Sequence, residues 1–158
     1  MTYAIKFITE SLMIEGIHRE PTDREIECHE WFMRLTVITV DDLKKFVSFY
    51  EPEAKLRDMP GMNRKVGDHS PPNGGPHVEY ELWDILAALG TDTPFESHVR
   101  YETLHPFTDC NGRSGRALWA WQMSQWYDRE CPSFLHQFYY QSLQAQVTKE
   151  MALDAGLY

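Results

Sequence analysis

The sequence predicts a mainly α-helical protein built as one domain, and three observations support this. Apolar side chains recur every three or four residues along most of the chain, which is the spacing of amphipathic helices. Residues that favour helix ends stand at the borders of those segments. Only residues 59–76, with four prolines and four glycines, form a long stretch without a helical pattern. A chain of 158 residues suffices for one hydrophobic core, and two domains are not expected.

Composition argues against several classes of protein. The formal net charge is −9, from 24 acidic and 15 basic residues, and no basic block is present, so a nucleic acid partner is not expected. No apolar run approaches the roughly 18 residues of a membrane span. Lys6 and Glu10 interrupt the apolar N-terminal stretch, which argues against a signal peptide. Three cysteines without a CxxC pair are typical of a reducing compartment. We therefore expect a cytoplasmic protein that binds no membrane.

The first predicted helix covers residues 3–15, and Gly16 fits the position just past its end. Further helices are predicted to begin near residue 23, after Pro21, and to run from about residue 41 to a stop near Pro52. Two more cover residues 78–89 and 94–104, where Pro94 suits a first helical position. A helix then follows the turn at 109–112 as far as about residue 127, and a last one begins near residue 132. The helix after the turn is apolar on most sides and is expected at the centre of the bundle.

One residue at the end of the first predicted helix conflicts with its local environment. Glu15 brings a carboxylate to the last helical turn, where the negative end of the helix dipole disfavours it. Ser11 lies four residues earlier and faces the same way. We therefore expect a distant group to hold Glu15.

The stretch 59–76 is the long non-helical segment of the chain. Arg64, Lys65 and Val66 form a short extended piece within it. Loops of this length in compact domains are usually functional or disordered. The residues alone predict a plain loop here.

Residues 105–116 hold the densest set of chemically useful side chains. The run from Asp109 to Gly112 favours a tight turn, and a helix follows at once. A helix N-terminus presents unpaired N–H groups and the positive end of the dipole, which suit a phosphate. Arg113 and Arg116 are three residues apart, so they share a face and can hold two successive phosphates. Asp109 can hold Mg²⁺ bridging those phosphates, and His105 has a pKa suited to proton abstraction.

The run His-Pro-Phe-x-Asp-x-Asn-Gly-Arg-x-x-Arg, from His105 to Arg116, resembles the signature of the Fic (Fido) family. Members of that family transfer AMP from ATP to hydroxyl groups of proteins. The resemblance implies a Fic-type helical bundle with a small β-hairpin flap, with Mg²⁺ as the metal ion and ATP as the substrate. His105 would be the general base for a target Ser, Thr or Tyr hydroxyl. Phe107 would anchor the loop in the core, and Asp109 would bind the metal.

The resemblance also implies which groups hold the nucleotide. Asn111 and the backbone of Gly112 would form the anion hole around the α-phosphate. Arg113 would hold the β-phosphate and Arg116 the γ-phosphate. The resemblance also points to a distinction within the family, whose kinase-like branch has a lysine at the position that corresponds to Gly112. Because Gly112 is small, AMP transfer is favoured over phosphoryl transfer.

One position departs from the family signature. Cys110 stands where the family usually has glycine. If this position requires a positive φ, its Cβ costs on the order of 1–2 kcal/mol. Turnover is then in question, and a lone cysteine in a turn is not expected to act through its thiol.

The sequence Ser11-x-x-x-Glu15-Gly16 is similar to an inhibitory motif that many Fic proteins carry. The resemblance implies that Glu15 pairs with Arg116 and withholds it from the γ-phosphate. It divides the chain into an N-terminal inhibitory helix, residues 1–18, and a Fic domain core, residues 19–158, with the active-site loop at 105–112.

The resemblance implies that residues 59–77 form the flap of the Fic fold, a hairpin whose edge pairs with the backbone of the target protein. Val66, Gly67 and His69 are the candidates for that edge.

The expected function is AMP transfer to a hydroxyl of an unknown target protein, held back by the N-terminal helix. Three alternatives stay open: a Fic-type enzyme with another nucleotide donor, an idle peptide- or nucleotide-binding module, and a helical scaffold. The formation of a homo-oligomer also stays open.

Overall fold

The computed structural model describes residues 3–127, which form six α-helices joined by loops. They are α1 (Tyr3–Ile14), α2 (Asp23–Met33), α3 (Val40–Tyr50), α4 (Pro76–Ala87), α5 (Pro94–Leu104) and α6 (Asn111–Tyr127). The prediction of a mainly α-helical protein is confirmed. The helix predicted from about residue 132 lies outside the described residues.

Three of the six helix starts are fixed by local hydrogen bonds of one kind. In α2, α3 and α5 a threonine side chain accepts a bond from the backbone N–H three residues later, and the acidic side chain there accepts one from the threonine N–H. The pairs are Thr22 with Glu25, Thr39 with Asp42, and Thr93 with Glu96. These reciprocal bonds satisfy N–H groups that have no partner within the helix.

Proline sets the start of α4 as well. This helix begins at Pro76 rather than at residue 78, because the fixed φ of proline suits the first helical position after Gly75. It ends at Ala87, so the prediction of 78–89 was wrong by two residues at each end. The bounds predicted for α5 are confirmed.

The central position predicted for α6 is also confirmed. This helix contacts α1, α2, α3 and α5. Its side chains Ala117, Leu118, Ala120 and Trp121 are buried. Because α6 starts at residue 111, its first turn is held against the core, and this gives the residues of that turn fixed positions.

The N-terminal helix α1 packs on α2 and α6 and belongs to the same bundle. Phe7, Ile8 and Leu12 are buried in that contact. The helix ends in a Schellman motif, in which the N–H of Ile17 donates to the carbonyl of Leu12 at 3.0 Å and the N–H of Gly16 to that of Met13 at 2.9 Å. Gly16 has φ +74°, the left-handed conformation that this motif needs. Its predicted position past the helix end is confirmed.

Residues 59–77 contain two tight turns and no extended hairpin. In the first turn, the N–H of Met62 donates to the carbonyl of Met59 at 3.3 Å. Val66 and His69 exchange two backbone hydrogen bonds of 2.9 Å around Gly67 and Asp68. Gly67 has φ +57°, a left-handed conformation that glycine adopts more easily than residues with a side chain. Within residues 3–127 β-structure is limited to this pair and to the pair Leu56 and Phe107.

No α-helix among the described residues is both long enough and apolar enough to cross a bilayer.

Candidate active site

His105 stands where α5 passes into the loop that precedes α6, the candidate active-site loop. Its backbone is left-handed, with φ 51° and ψ 63°, and its N–H donates to the carbonyl of Tyr101 at 2.9 Å. Few residues other than glycine adopt a positive φ, and such strain persists only where the surrounding structure holds it. This conformation ends α5 and directs the chain into the loop.

The loop is held from behind by the segment that follows α3. Leu56 and Phe107 form an antiparallel pair. On one side of it the N–H of Arg57 donates to the carbonyl of Pro106 at 2.8 Å, and on the other the N–H of Thr108 donates to that of Lys55 at 2.8 Å. Phe107 is 1 % exposed, so its predicted place as a buried anchor is confirmed.

Arg57 is a residue that the sequence did not single out. Its guanidinium is fully buried and donates to four backbone carbonyls, of His105 at 2.7 Å, Leu104 at 2.8 Å, Pro72 at 2.8 Å and Met62 at 3.0 Å. Among the described residues no carboxylate pairs with it. Arg57 therefore joins the segment 59–77 to the end of α5. An arginine in a loop, two residues after a lysine, is normally expected to be exposed to solvent. The sequence therefore does not predict that Arg57 is buried against these carbonyls.

The charge of His105 follows from this surrounding. Burial, and then the nearby cation Arg57 and the ring of His69, lower the pKa of His105 to about 4. The imidazole is therefore neutral at neutral pH. A neutral ring nitrogen can accept a proton, which is what a general base requires.

The far end of the loop is closed by the side chain of Asn111. Its Oδ1 accepts from the N–H of Phe107 and its Nδ2 donates to the carbonyl of the same residue, both at 2.8 Å. Asn111 is 2 % exposed. The side chain is thus used to shape the loop, and what its position offers a phosphate is the backbone at the start of α6.

Cys110 has the positive φ that glycine would adopt without strain, at 67°. The side chain is buried, and burial raises the pKa of its thiol to about 12. At neutral pH the sulfur is therefore protonated and weakly nucleophilic. Its carbonyl accepts from the N–H of Ser114 at 3.0 Å and from Ser114 Oγ at 2.8 Å, so the turn keeps its hydrogen bonds despite the extra Cβ.

Asp109 and Arg113 lie together at the mouth of the loop. The Asp109 side chain is 63 % exposed, and its Oδ1 accepts from the N–H of Cys110 at 2.6 Å. Arg113 Nη2 lies 3.8 Å from that oxygen and donates to Glu51 Oε1 at 2.8 Å. Among residues 3–127 no three acidic, histidine or cysteine side chains are grouped so as to hold a metal ion. Mg²⁺ commonly binds one or two carboxylates together with substrate phosphates, and a single exposed Asp109 fits that mode.

Arg116 is fully buried and faces α1. Its Nε donates to Ser11 Oγ at 2.8 Å, and its Nη2 donates to the Ser11 carbonyl at 3.0 Å and to Glu15 Oε1 at 2.5 Å. The pairing of Glu15 with Arg116 that was predicted across 101 residues is present. It provides the distant partner that Glu15, at the end of α1, lacks locally.

Gly112 lies directly under this ion pair. A Cβ added there would overlap Glu15 Oε1 and come within 2.9 Å of Arg116 Nη1. Only a residue without a side chain therefore leaves room for the carboxylate at the first turn of α6.

Another carboxyl, that of Glu102, lies close enough to Arg116 to feel its charge. Burial, opposed by the charge of Arg116, raises the pKa of Glu102 to about 8, so this group is largely protonated at neutral pH. Its Oε1 is buried without a hydrogen-bond partner and lies against Gly115, where a Cβ would overlap it. A protonated Glu102 leaves Glu15 as the charged partner of Arg116. No sequence pattern predicts that the carboxyl of Glu102 is buried.

The three candidate flap residues lie at the surface next to the end of α5. Val66, Gly67 and His69 are exposed. His69 Nε2 lies 2.9 Å from the carbonyl of Thr103, two residues before His105. The turn is therefore fixed near the loop that carries the candidate base.

A scan against models of known protein families and a search of curated proteins give no match to this chain.

Proposed function

We propose that this chain is a Fic-type protein adenylyltransferase, which transfers AMP from ATP to a hydroxyl side chain of a target protein and is held inactive by α1. The observation that carries the proposal is the environment of Arg116. A fully buried guanidinium, 0 % exposed, is bound by the side chain and carbonyl of Ser11 and by Glu15. The Glu15 side chain is 29 % exposed, so a ligand can reach it, whereas the guanidinium is buried. A buried cation that loses its carboxylate is costly, so an anionic ligand that displaces Glu15 would have to bind Arg116 in its place.

The proposed reaction begins at His105. Its neutral imidazole takes the proton of a target hydroxyl while the hydroxyl oxygen attacks the α-phosphorus of ATP. A new oxygen–phosphorus bond forms, the bond from the α-phosphorus to the bridging oxygen breaks, and pyrophosphate leaves. The lowered pKa of His105 supports this role, because the ring is already able to accept a proton at neutral pH.

The start of α6 is the proposed site for the phosphates. N–H groups of its first turn face the α-phosphate, and Arg113 and Arg116 bind the phosphates beyond it. When bound, Mg²⁺ neutralises charge on the phosphate oxygens, and Asp109 is the residue that would hold it. With Glu15 on Arg116, one of the two cations is withheld, and ATP cannot align its α-phosphate with the hydroxyl.

The turn at Val66 to His69 is proposed to be the tip of the flap. An exposed backbone edge beside His105 is where an extended target segment would pair as an added strand. The bonds from Arg57 to Pro72 and Met62 support this assignment, because they hold the base of that segment against the end of α5.

The test compares Glu15→Gly with the unchanged chain for incorporation of label from α-labelled ATP in the presence of Mg²⁺. We expect Glu15→Gly to incorporate at least about tenfold more label than the unchanged chain, which corresponds to a free-energy difference of about 1.4 kcal/mol. Glu20→Gly, at an exposed glutamate in the loop after α1, is the matched control and should incorporate no more than the parent. Glu15→Gly combined with His105→Ala should incorporate none. Equal labelling of the parent and Glu15→Gly would remove the claim of self-inhibition.

A second function, an idle binding module, is favoured by Cys110. The turn keeps its hydrogen bonds, but a non-glycine residue at φ 67° places backbone strain next to the proposed anion hole. Calorimetry with Mg-ATP separates the two proposals. Heat of binding with AMP transfer supports the enzyme, heat without transfer supports a nucleotide-binding module, and no heat for Glu15→Gly leaves a peptide-binding module.

A further inference from the structure

The other arginine of α6 is also bound by a carboxylate at a helix end. Arg113 Nη2 donates to Glu51 Oε1 at 2.8 Å. The Arg113 side chain is only 10 % exposed, and its guanidinium carbon lies 5.4 Å from the centre of the Tyr50 ring. This arrangement resembles that of Arg116, but the carboxylate comes from the end of α3 instead of α1.

The backbone places Glu51 firmly. Its N–H caps α3 by donating to the carbonyl of Val47 at 2.8 Å. Pro52 follows, and the residue before a proline is kept out of the helical region, in agreement with the observed φ of −135° and ψ of 86°. Like Glu15, Glu51 brings a negative charge to the negative end of a helix dipole, which is unfavourable by itself. In both cases an arginine of α6 compensates for it.

Two carboxylates compete for the same atom of Arg113. Nη2 lies 2.8 Å from Glu51 Oε1 and 3.8 Å from Asp109 Oδ1. The cation is therefore in contact with Glu51 and just out of hydrogen-bond range of Asp109. If Glu51 lost its charge, Asp109 would be the nearest carboxylate, and closing the gap of about 1 Å would form a charge-assisted pair.

We propose that Glu51 is a positioning residue that holds Arg113 away from Asp109, and so keeps the Asp109 carboxylate available to a divalent cation. The inference rests on the proposed function, because it assumes that the cation arrives with a nucleotide at the start of α6. In this proposal Glu51 contacts neither the cation nor the nucleotide. It acts through Arg113, as groups behind the ligands of a metal site often do.

The test uses Glu51→Gln in the Glu15→Gly background, with Glu53→Gln in the same background as the control. Both changes remove one negative charge without changing the shape of the side chain, and Glu53 is an exposed residue two positions further along. Calorimetry measures the affinity for ATP twice, with Mg²⁺ and with a chelator. We expect Glu51→Gln to weaken binding of Mg-ATP by on the order of tenfold and to leave metal-free ATP within about twofold. Glu53→Gln should match the parent in both titrations.

Each other outcome overturns the inference in a distinguishable way. Equal loss with and without Mg²⁺ would mean that Glu51 only supports the fold or the arginine. Tighter binding in both titrations would mean that Glu51 competes with the phosphates. An unchanged Mg-ATP affinity would remove its role while leaving the proposed function in place. If the Glu15→Gly parent itself binds no Mg-ATP, the proposed enzyme fails and the inference with it.

Discussion

Replacing Arg57 by lysine tests whether the loop at residues 105–112 depends on a single buried guanidinium. Arg57 donates to four carbonyls through three nitrogen atoms, and the whole residue is 0 % exposed. Lysine keeps the charge but has all its donors on one nitrogen. A single nitrogen cannot reach carbonyl groups that lie on different sides of the planar guanidinium. We therefore expect at least two of the four carbonyl groups to lose their hydrogen-bond donor.

The magnitude follows from the number of lost partners. A buried carbonyl left without a hydrogen bond costs about 1–3 kcal/mol. Two of them predict a loss of about 2–6 kcal/mol for Arg57→Lys, a large part of the 5–15 kcal/mol that typically separates folded from unfolded domains. The loss reflects bonds that join the segment 59–77 to α5, so the loop carrying His105 should loosen along with it.

Urea denaturation followed by circular dichroism measures this loss. Arg34→Lys is the control, because Arg34 is exposed and should change the free energy of unfolding by less than about 0.5 kcal/mol. A loss for Arg57→Lys no larger than that of Arg34→Lys would refute the reasoning. It would show that water or a shifted backbone satisfies these carbonyls without the guanidinium.

Three further predictions concern stability. Burial lowers the pKa of His29 to about 4, of His98 to about 3 and of His105 to about 4, whereas an unfolded histidine titrates near 6.5. Below that pH the unfolded chain binds protons that the folded chain refuses, so stability should fall by up to about 1.4 kcal/mol per pH unit for each histidine as pH drops from about 6.5 towards 4. Urea titrations at several pH values check this, and His29→Gln should give a smaller slope; a flat profile would contradict it. Cys110→Gly should change stability by less than about 1 kcal/mol, since relief of strain at φ 67° is offset by the flexibility of glycine, whereas Cys110→Val should lose more than about 2 kcal/mol. Thermal melts distinguish the two, and equal melting temperatures would argue against strain. Gly115→Ala should lose about 1–3 kcal/mol because its Cβ overlaps Glu102 Oε1 and lies 2.9 Å from Tyr101 Cδ1, while Gly90→Ala meets nothing within 4 Å and serves as the control.

The helices were largely predictable because their causes are local. Threonine followed three residues later by Glu or Asp, and proline at a first helical position, act within one turn. The apolar spacing of α6 likewise predicted a central helix. The predicted start of α4 is two residues late, because Gly75 and Pro76 have the composition of the long loop that they end.

The site was predictable only in part, and Glu15 and Glu51 show where the limit lies. Both are carboxylates at the C-terminal end of a helix, where local electrostatics disfavour them. At Glu15 the misfit predicts a distant partner, and Arg116 lies 101 residues away in the chain. The same misfit is present at Glu51, for which no partner is predicted from the sequence. Arg57 and Glu102 had no local signal at all, since nothing in their sequence neighbours distinguishes a buried charge from a solvated one.

Local sequence patterns are enough to predict the approximate positions of the helices, the concentration of reactive side chains in residues 105–116, and the need of Glu15 for a distant partner. These follow from interactions within a few residues or from the spacing of side chains. Three features become visible only in the folded chain: Asn111 closes the loop, Arg57 is buried among carbonyls, and Arg113 lies between Glu51 and Asp109. Such facts depend on which side chains meet across the core and on how much water is excluded there, and no local pattern encodes either.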